Sequence, residues 1–310
     1  MENRVIKVGS RASALALIQT RWVIDRLKDK FPHYTYEIIQ IKTIGDKILD
    51  KSLNKIGDKG LFVKEIETAL VEEEIDFAVH SMKDVPTEMV GELIIGAITD
   101  REDPRDVLIS KEGLGLKMLP QGAKLGTSSL RRASQLLAHR PDLIIEPIRG
   151  NVATRVGKIE ELGLDGVILA AAGIIRLGWA YKITEYIDDD ICVPAVGQGA
   201  LGIQIRRKDT FMKALVDLLN NEDIELAVNA ERTFMRELKG GCHIPFGAYA
   251  YVVGDSIKIK TVLSSADGTS TIRLHAEEEK KQWEQLGRKM AEETLNRGGR
   301  EILKQLRIGD

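Results

Sequence analysis

Alternating strand and helix signals, repeated in two stretches of similar grammar, predict an α/β protein with parallel sheets and right-handed crossovers. Toward the C-terminus the pattern changes to a hairpin followed by a helix, which predicts a small α+β domain. A length of 310 residues exceeds what one core usually serves, so two or three domains are expected.

The first unit opens with the apolar run Val5 to Val8, which ends at Gly9-Ser10-Arg11. A helix is predicted from about Ser13 to Lys30, with Leu15, Leu17, Ile18, Trp22, Ile24 and Leu27 as its apolar face. A strand follows at Tyr36 to Thr43. The stretch from Ile44 to Gly60 has no clean period, and a connection of that length in a compact domain is usually functional or mobile. A helix from about Phe62 to Glu74 then leads into a strand at Phe77 to His80.

The second unit repeats this order. Leu125-Gly126-Thr127-Ser128-Ser129 parallels Val8-Gly9-Ser10, a helix spans about Ser129 to His139, a strand Ile144 to Ile148, and a helix about Asn151 to Leu162. Asp165 to Ala170 parallels Asp76 to Ser81. Two such units predict two α/β domains facing one another across a cleft. The polar run Thr99 to Arg105 and the segment Pro194 to Gly199 read as crossings between them, followed by a buried strand at Ala200 to Ile205. Helices are expected near Phe211 to Leu219 and from Asp223 to Leu238, the latter stopped by Gly240-Gly241. Tyr249 to Val253 and Ile257 to Val262 flank the turn Gly254-Asp255-Ser256, Asp267-Gly268 marks another turn, and a helix from about Gln282 to Asn296 closes the fold.

Hydrophobic content of 43% and charged content of 30% are ordinary for a soluble globular chain. The balance of 45 basic against 47 acidic residues argues against a nucleic-acid binder, so any anion site must be local. The N-terminus runs directly into a strand pattern without a signal-peptide apolar region, and no run approaches a membrane span. Two cysteines without disulfide spacing fit a reducing compartment, and a cytoplasmic protein is expected.

Three predicted strand-to-helix junctions combine basic and hydroxyl residues: Ser10-Arg11-Ala12-Ser13 with Gln19 two turns on, Thr127-Ser128-Ser129-Leu130-Arg131-Arg132, and Arg149-Gly150-Asn151 with Thr154-Arg155. Helix N-termini favour anions, arginine grips carboxylates bidentately, and such junctions lie where α/β sheets bind ligands. Each junction alone reads more readily as a capped helix with a surface arginine; three of one chemistry favour a carboxylate site. Arg176 is a charge in an apolar stretch, either snorkelling or a further grip. Asp84, in His80-Ser81-Met82-Lys83-Asp84-Val85-Pro86, is delivered to a sheet end, either as an Asx turn or as a carboxylate that stabilises a cation formed during reaction. Cys242, in Gly240-Gly241-Cys242-His243-Ile244-Pro245, falls on a turn and is placed for covalent chemistry, unless it only fills a helix stop. His80 reads as structural, Cys192 as a buried apolar residue, and no metal-site spacing occurs.

These motifs, together with Pro194 through Gly199, occur in one order and resemble the porphobilinogen deaminase (hydroxymethylbilane synthase) family across essentially the whole chain. The resemblance implies two domains like the halves of type II periplasmic binding proteins, the second inserted in the first: residues 1–99 and 200–218, then 100–199, with a third, α+β domain at 219–310. It implies a transferase of tetrapyrrole and heme biosynthesis that joins four porphobilinogen molecules head to tail, releasing ammonia, into hydroxymethylbilane on a dipyrromethane cofactor. By the same resemblance Cys242 holds that cofactor as a thioether, and Asp84 is catalytic and also touches the cofactor. Lys83, Thr127, Ser129, Arg131, Arg132 and Arg155 grip its acetate and propionate arms. Arg11, Ser13, Gln19, Arg149, Gly150, Arg155 and Arg176 hold substrate or the growing chain, and Asp46, Lys59 and Phe62 belong to an active-site loop. The implied protein is a monomer that passes its product to uroporphyrinogen-III synthase and binds neither membrane nor nucleic acid. The rival reading is a non-catalytic two-domain protein that binds a carboxylate or phosphate ligand, with no covalent adduct.

Overall fold

The computed structural model describes residues 4–43, 63–87, 89–239 and 244–308. The chain divides into two compact units, one formed by Met1–Arg101 with Gly199–Glu225 and the other by Glu102–Gln198 with Leu226–Asp310.

The first unit is a five-stranded sheet with helices on both faces. Its elements, numbered along the whole chain, are β1 (Val5–Arg11), α1 (Ala14–Lys30), β2 (Thr35–Ile41), α2 (Lys64–Val71), β3 (Phe77–Ser81), β4 (Leu93–Ile98), β10 (Leu201–Arg206) and α6 (Thr210–Val216). The strand order is β2-β1-β3-β10-β4. β1 runs parallel to β2 and β3, whereas β10 runs antiparallel to β3 and β4. β3 opens with the apolar run Phe77-Ala78-Val79 and is buried through His80 because both of its faces are covered. Phe77 and Val79 pack with α1 residues Val23 and Leu27, while Ala78 packs with Ile66 and Leu70 of α2. Side chains alternate along a strand, so His80 shares the face of Ala78, toward α2.

The second unit contains a sheet built to the same plan. β5 (Asp106–Ser110), β6 (Lys124–Gly126), α3 (Leu130–His139), β7 (Ile144–Glu146), α4 (Val152–Glu161), β8 (Gly166–Ala170), α5 (Ala171–Arg176) and β9 (Glu185–Tyr186) give the order β7-β6-β8-β5-β9. β6 is parallel to β7 and β8, and β5 is antiparallel to β8 and β9. With β6 matched to β1 and β5 matched to β10, the two sheets share strand order and direction, as the repeated grammar of the sequence predicts, although the chain enters the second sheet at β5 and reaches its counterpart β10 last in the first.

The same unit carries a three-stranded antiparallel sheet, β11 (Phe246–Val253), β12 (Ser256–Ser264) and β13 (Thr271–Glu279). Its core joins Ala248, Ile257 and Ile259 to Phe234 of α7 (Glu222–Glu237) and to Leu286 and Met290 of α8 (Trp283–Thr294). The hairpin at Gly254 is as predicted, with φ of 61° at that glycine. The expectation that the helix ending near Asn296 closes the fold is corrected: the chain kinks at Gly298, with φ of 103°, and continues as α9 (Arg300–Ile308). β4, β5, β9 and β13 are also not foreseen from the sequence.

Candidate functional site

In the first unit the residues expected to form the site lie at and just after the ends of β1 and β3. β1 ends at Arg11, and Ser13 caps α1 by accepting a hydrogen bond from Ala16 N at 3.3 Å. Thr20 donates to buried Ser10 Oγ at 2.9 Å, which ties the second turn of α1 to the end of β1. Gln19 is buried in the same turn. β3 passes into a 3-10 turn, Met82–Asp84, that anchors itself through buried Met82 and leaves Lys83 and Asp84 exposed. Arg11 Nη1 lies 3.9 Å from Asp84 Oδ2, a loose pair with side chains 24% and 37% exposed. This is the one catalytic carboxylate expected from the sequence, and it stands beside an arginine also expected from it.

Beneath Asp84 lies a buried polar chain that sequence reasoning missed. Gln204 Nε2 donates to Glu67 Oε1 at 2.9 Å, which turns the Gln204 carbonyl toward His80. His80 Nε2 therefore donates to Gln204 Oε1 at 3.0 Å, which fixes the Nε2–H tautomer. Burial pushes the His80 pKa down to about 4. His80 is structural, as expected, and neutral.

In the second unit Ser129 caps α3, accepting from Arg132 N, and Thr127 Oγ1 accepts from Ser129 N at 3.2 Å. Asn151 caps α4, accepting from Thr154 N at 2.9 Å. Gly150, at φ of 111°, makes the turn before it, and Arg155 Nε donates to the Gly150 carbonyl at 2.9 Å. Ser128 Oγ donates to the Ile148 carbonyl at 2.8 Å and so links this junction to that of α3. Arg149 is half-buried just ahead of it. Arg176 ends α5; burial lowers its pKa, against the pull of Glu102.

Arg131 and Arg132 are not extended arms. Both are buried against Asp106, the first residue of β5, which is 0% exposed. Arg131 Nη1 donates to Asp106 Oδ2 at 2.7 Å and to the Val193 carbonyl at 2.7 Å. Arg132 reaches Asp106 Oδ1 from Nε at 2.9 Å and Nη2 at 2.7 Å, and its Nη1 donates to the Ile168 carbonyl at 3.1 Å. Gln198 Nε2 donates to the same Oδ1 at 3.0 Å, and the Cys192 thiol to Oδ2 at 3.3 Å. Burial alone would raise the Asp106 pKa, but the Arg131 and Arg132 guanidiniums outweigh it and hold the carboxyl well below the ordinary range. Burial likewise pushes the Cys192 thiol up to about 12, so it stays protonated and is no nucleophile. Among the described residues, two guanidiniums against one carboxylate leave an excess positive charge in a largely buried site, and that donor set fits a ligand bearing carboxylates.

Asp106 went unnoticed because the polar run at Thr99 to Arg105 reads as a crossing that stops one residue short. Its signal was a carboxylate opening the apolar strand Val107-Leu108-Ile109. Glu231 is a second such case: wholly buried in α7, it accepts from Gly197 N at 2.6 Å and Ala250 N at 2.8 Å, fixing the Pro194 to Gln198 segment on the C-terminal sheet. Asp188, Asp189 and Asp190 cluster, but Lys260 Nζ sits 2.7 Å from Asp189 and 2.6 Å from Asp190. Cys242, with Asp46, Lys59 and Phe62, lies outside the described residues.

Fold and sequence define a two-unit α/β protein whose strand-to-helix junctions, in each unit, bear arginines beside hydroxyl residues. Residues 6–214 match the family model "Porphobilinogen deaminase, dipyromethane cofactor binding domain", and residues 225–296 match "Porphobilinogen deaminase, C-terminal domain". The chain belongs to the porphobilinogen deaminase family. It is 53% identical to the porphobilinogen deaminase of Alkaliphilus metalliredigens, over 97% of this chain and 95% of that one. The enzymes of Carboxydothermus hydrogenoformans, 50% identical over 99% of this chain and 98% of theirs, and of Listeria monocytogenes, 47% over 98% and 99%, are similar. Among solved structures, an amino-acid ABC transporter extracellular-binding protein of Bacillus subtilis covers 72% of this chain and 93% of its own at 10% identity and a TM-score of 0.43, too weak a likeness to bear on the fold.

Proposed function

We propose that this chain joins four porphobilinogen molecules head to tail, with loss of ammonia, into hydroxymethylbilane on a dipyrromethane cofactor bound through Cys242. The observation that carries this is the family match across both parts of the chain, residues 6–214 and 225–296. A non-catalytic binding role is not favoured, since it gives no reason for a cofactor-binding domain. When bound, the dipyrromethane supplies a free pyrrole α-carbon as nucleophile and acidic arms as handles.

The residues of the chain divide the remaining work. Asp84, exposed beside Arg11, stabilises the cationic pyrrole that porphobilinogen becomes as ammonia leaves, and takes up the proton released on coupling. Lys83, Thr127, Ser129, Arg131, Arg132 and Arg155 hold the carboxylate arms of the cofactor. Arg11, Ser13, Gln19, Arg149, Gly150 and Arg176 hold the substrate carboxylates, with Arg155 serving both sets, and the Asp46 to Phe62 loop covers them. Cys192 is the other thiol of the chain, and its burial in a hydrogen-bonded core supports Cys242 as the attachment point. A covalent tether keeps the lengthening chain from diffusing away between additions.

The reading extends to three domains at 1–99 with 200–218, 100–199 and 219–310, and to a cytoplasmic monomer that hands its product to uroporphyrinogen-III synthase. A reduced, buried Cys192 suits a reducing compartment. Among the described residues, no helix is long and apolar enough to cross a membrane.

Incubation with porphobilinogen tests the reading: ammonia and a linear tetrapyrrole that closes to uroporphyrin are expected, with intact mass showing two pyrrole units that Cys242→Ser lacks. Asp84→Ala should keep the fold and lose turnover. A fully active wild-type protein with no added mass would overturn the assignment.

A further inference from the structure

Asp106 is a fully buried acid with no place in the chemistry just assigned, yet it organises two of the residues that hold the cofactor. One carboxylate receives four donors: Arg132 and Gln198 on Oδ1, Arg131 and Cys192 on Oδ2. Each oxygen takes one guanidinium, so the two arginine planes are fixed relative to one another as well as to β5. Arg132 meets Asp106 along its Nε–Nη2 edge, both nitrogens donating to the single oxygen Oδ1. Arg131 is held by Nη1, so its Nε–Nη2 edge is not taken by Asp106.

The charge count separates this from an ordinary buried ion pair. A buried carboxylate between two arginines can also be structural, so the place of the cluster in the fold matters beside its charge. Here the Cys192 thiol is neutral and the glutamines are neutral, which leaves two cations against one anion. A cluster with one more cation than anion among the described residues, on elements that open at a strand-to-helix junction, has the charge to accept a carboxylate from outside the chain.

We propose that Asp106 is a positioning residue for the cofactor: acting through Arg131 and Arg132, it sets two guanidiniums in the orientation that receives the acidic arms of the dipyrromethane. The inference rests on the cofactor reading above. Long arginine side chains without this anchor would sample many rotamers, and the ordering would then be lost from each binding event.

The test is reconstitution. Cofactor-free full-length wild type and Asp106→Asn are incubated with porphobilinogen, and intact mass follows the gain of two pyrrole units while thermal melting is recorded before and after loading. Asp106→Asn keeps the shape of the side chain and removes its charge. Loading is expected to slow on the order of 10- to 100-fold, the effect of a misplacement of about 1 Å. The rise in melting temperature on loading should also shrink. A purely structural role lowers the melting of empty and loaded protein alike and leaves their difference intact, so an unchanged difference with wild-type loading overturns the proposal. Should Asp106→Asn fail to fold, Gln198→Leu loosens the same carboxylate without changing any charge; several-fold slower loading with a smaller melting rise supports the role, and wild-type values overturn it. Wild-type chain that gains no pyrrole mass overturns the cofactor reading and the inference with it, whereas loading of wild type and variants at one rate removes Asp106 alone.

Discussion

Lowering the pH from 7 to 5 is expected to weaken the centre of the first sheet through a single side chain. His80 is 5% exposed. Burial depresses its pKa from 6.5 to about 4, with the Gln204 hydrogen bond and Asp84 pulling upward and Arg11 adding to the depression. Between those values the unfolded chain binds a proton that the folded chain refuses, so stability falls as pH falls from about 6.5 toward about 4. The gap of about 2.5, at about 1.4 kcal/mol per pKa unit, amounts to about 3.5 kcal/mol at full extent. At pH 5 the unfolded side chain is about 1.5 pH units below its own pKa, which gives about 2 kcal/mol. A two-unit chain need not unfold in one transition, so the opening free energy is best read locally, from hydrogen exchange of the β3 and β10 amides. His80→Gln keeps a donor toward Gln204 Oε1 and does not titrate. Wild type should lose about 2 kcal/mol of protection between pH 7 and 5, and the variant less than about 0.5 kcal/mol beyond its background. Equal losses in both proteins would refute the reasoning.

Two backbone positions give further expectations. Gly202 faces His80 across the β3–β10 ladder, and a Cβ there would fall onto the Met82 sulfur. Gly202→Ala should cost about 1–3 kcal/mol and displace the turn that presents Asp84, lowering kcat, with Met82→Ala in the same chain restoring part of both; urea unfolding and turnover of porphobilinogen read the two effects. Gly150→Ala adds a side chain at φ of 111° and against Thr154, at a cost of about 1–3 kcal/mol; hydrogen exchange of α4 should accelerate and the KM for porphobilinogen should rise.

The sequence revealed the parts whose signals are local. Strand-to-helix junctions announce themselves by glycine and hydroxyl residues ahead of an apolar period, which is why β1–α1, β6–α3 and α4 fall close to where they were read. The residues expected to carry chemistry at those junctions are likewise local motifs. What escaped depends on partners distant in sequence. Asp106 and Arg131 are 25 residues apart and Gln204 and Glu67 are 137 apart, and nothing in either segment tells that a carboxylate faces inward. Arg131 and Arg132 show the limit well, because an arginine at a helix start looks the same whether it points at a ligand or at a buried acid. β13 was missed since its outward Arg273, His275, Glu277 and Glu279 mask the alternation with a charged surface.

The position of β10 has a consequence for how the protein is made. It lies between β3 and β4, and among the described residues β4 pairs with β10 alone. While the nascent chain emerges from the ribosome, Leu201–Arg206 follows the whole of the β5 to β9 segment, so the N-terminal hundred residues wait with β3 open along one edge and β4 unattached. Gly202 and Gln204, the neighbours of His80, arrive only then, and the ground beneath Asp84 is among the last parts of the first sheet to set. A fragment ending at Arg101 therefore has an apolar edge and no strand to close it, and any division of this chain into separately expressed pieces must return residues 199–206 to the first.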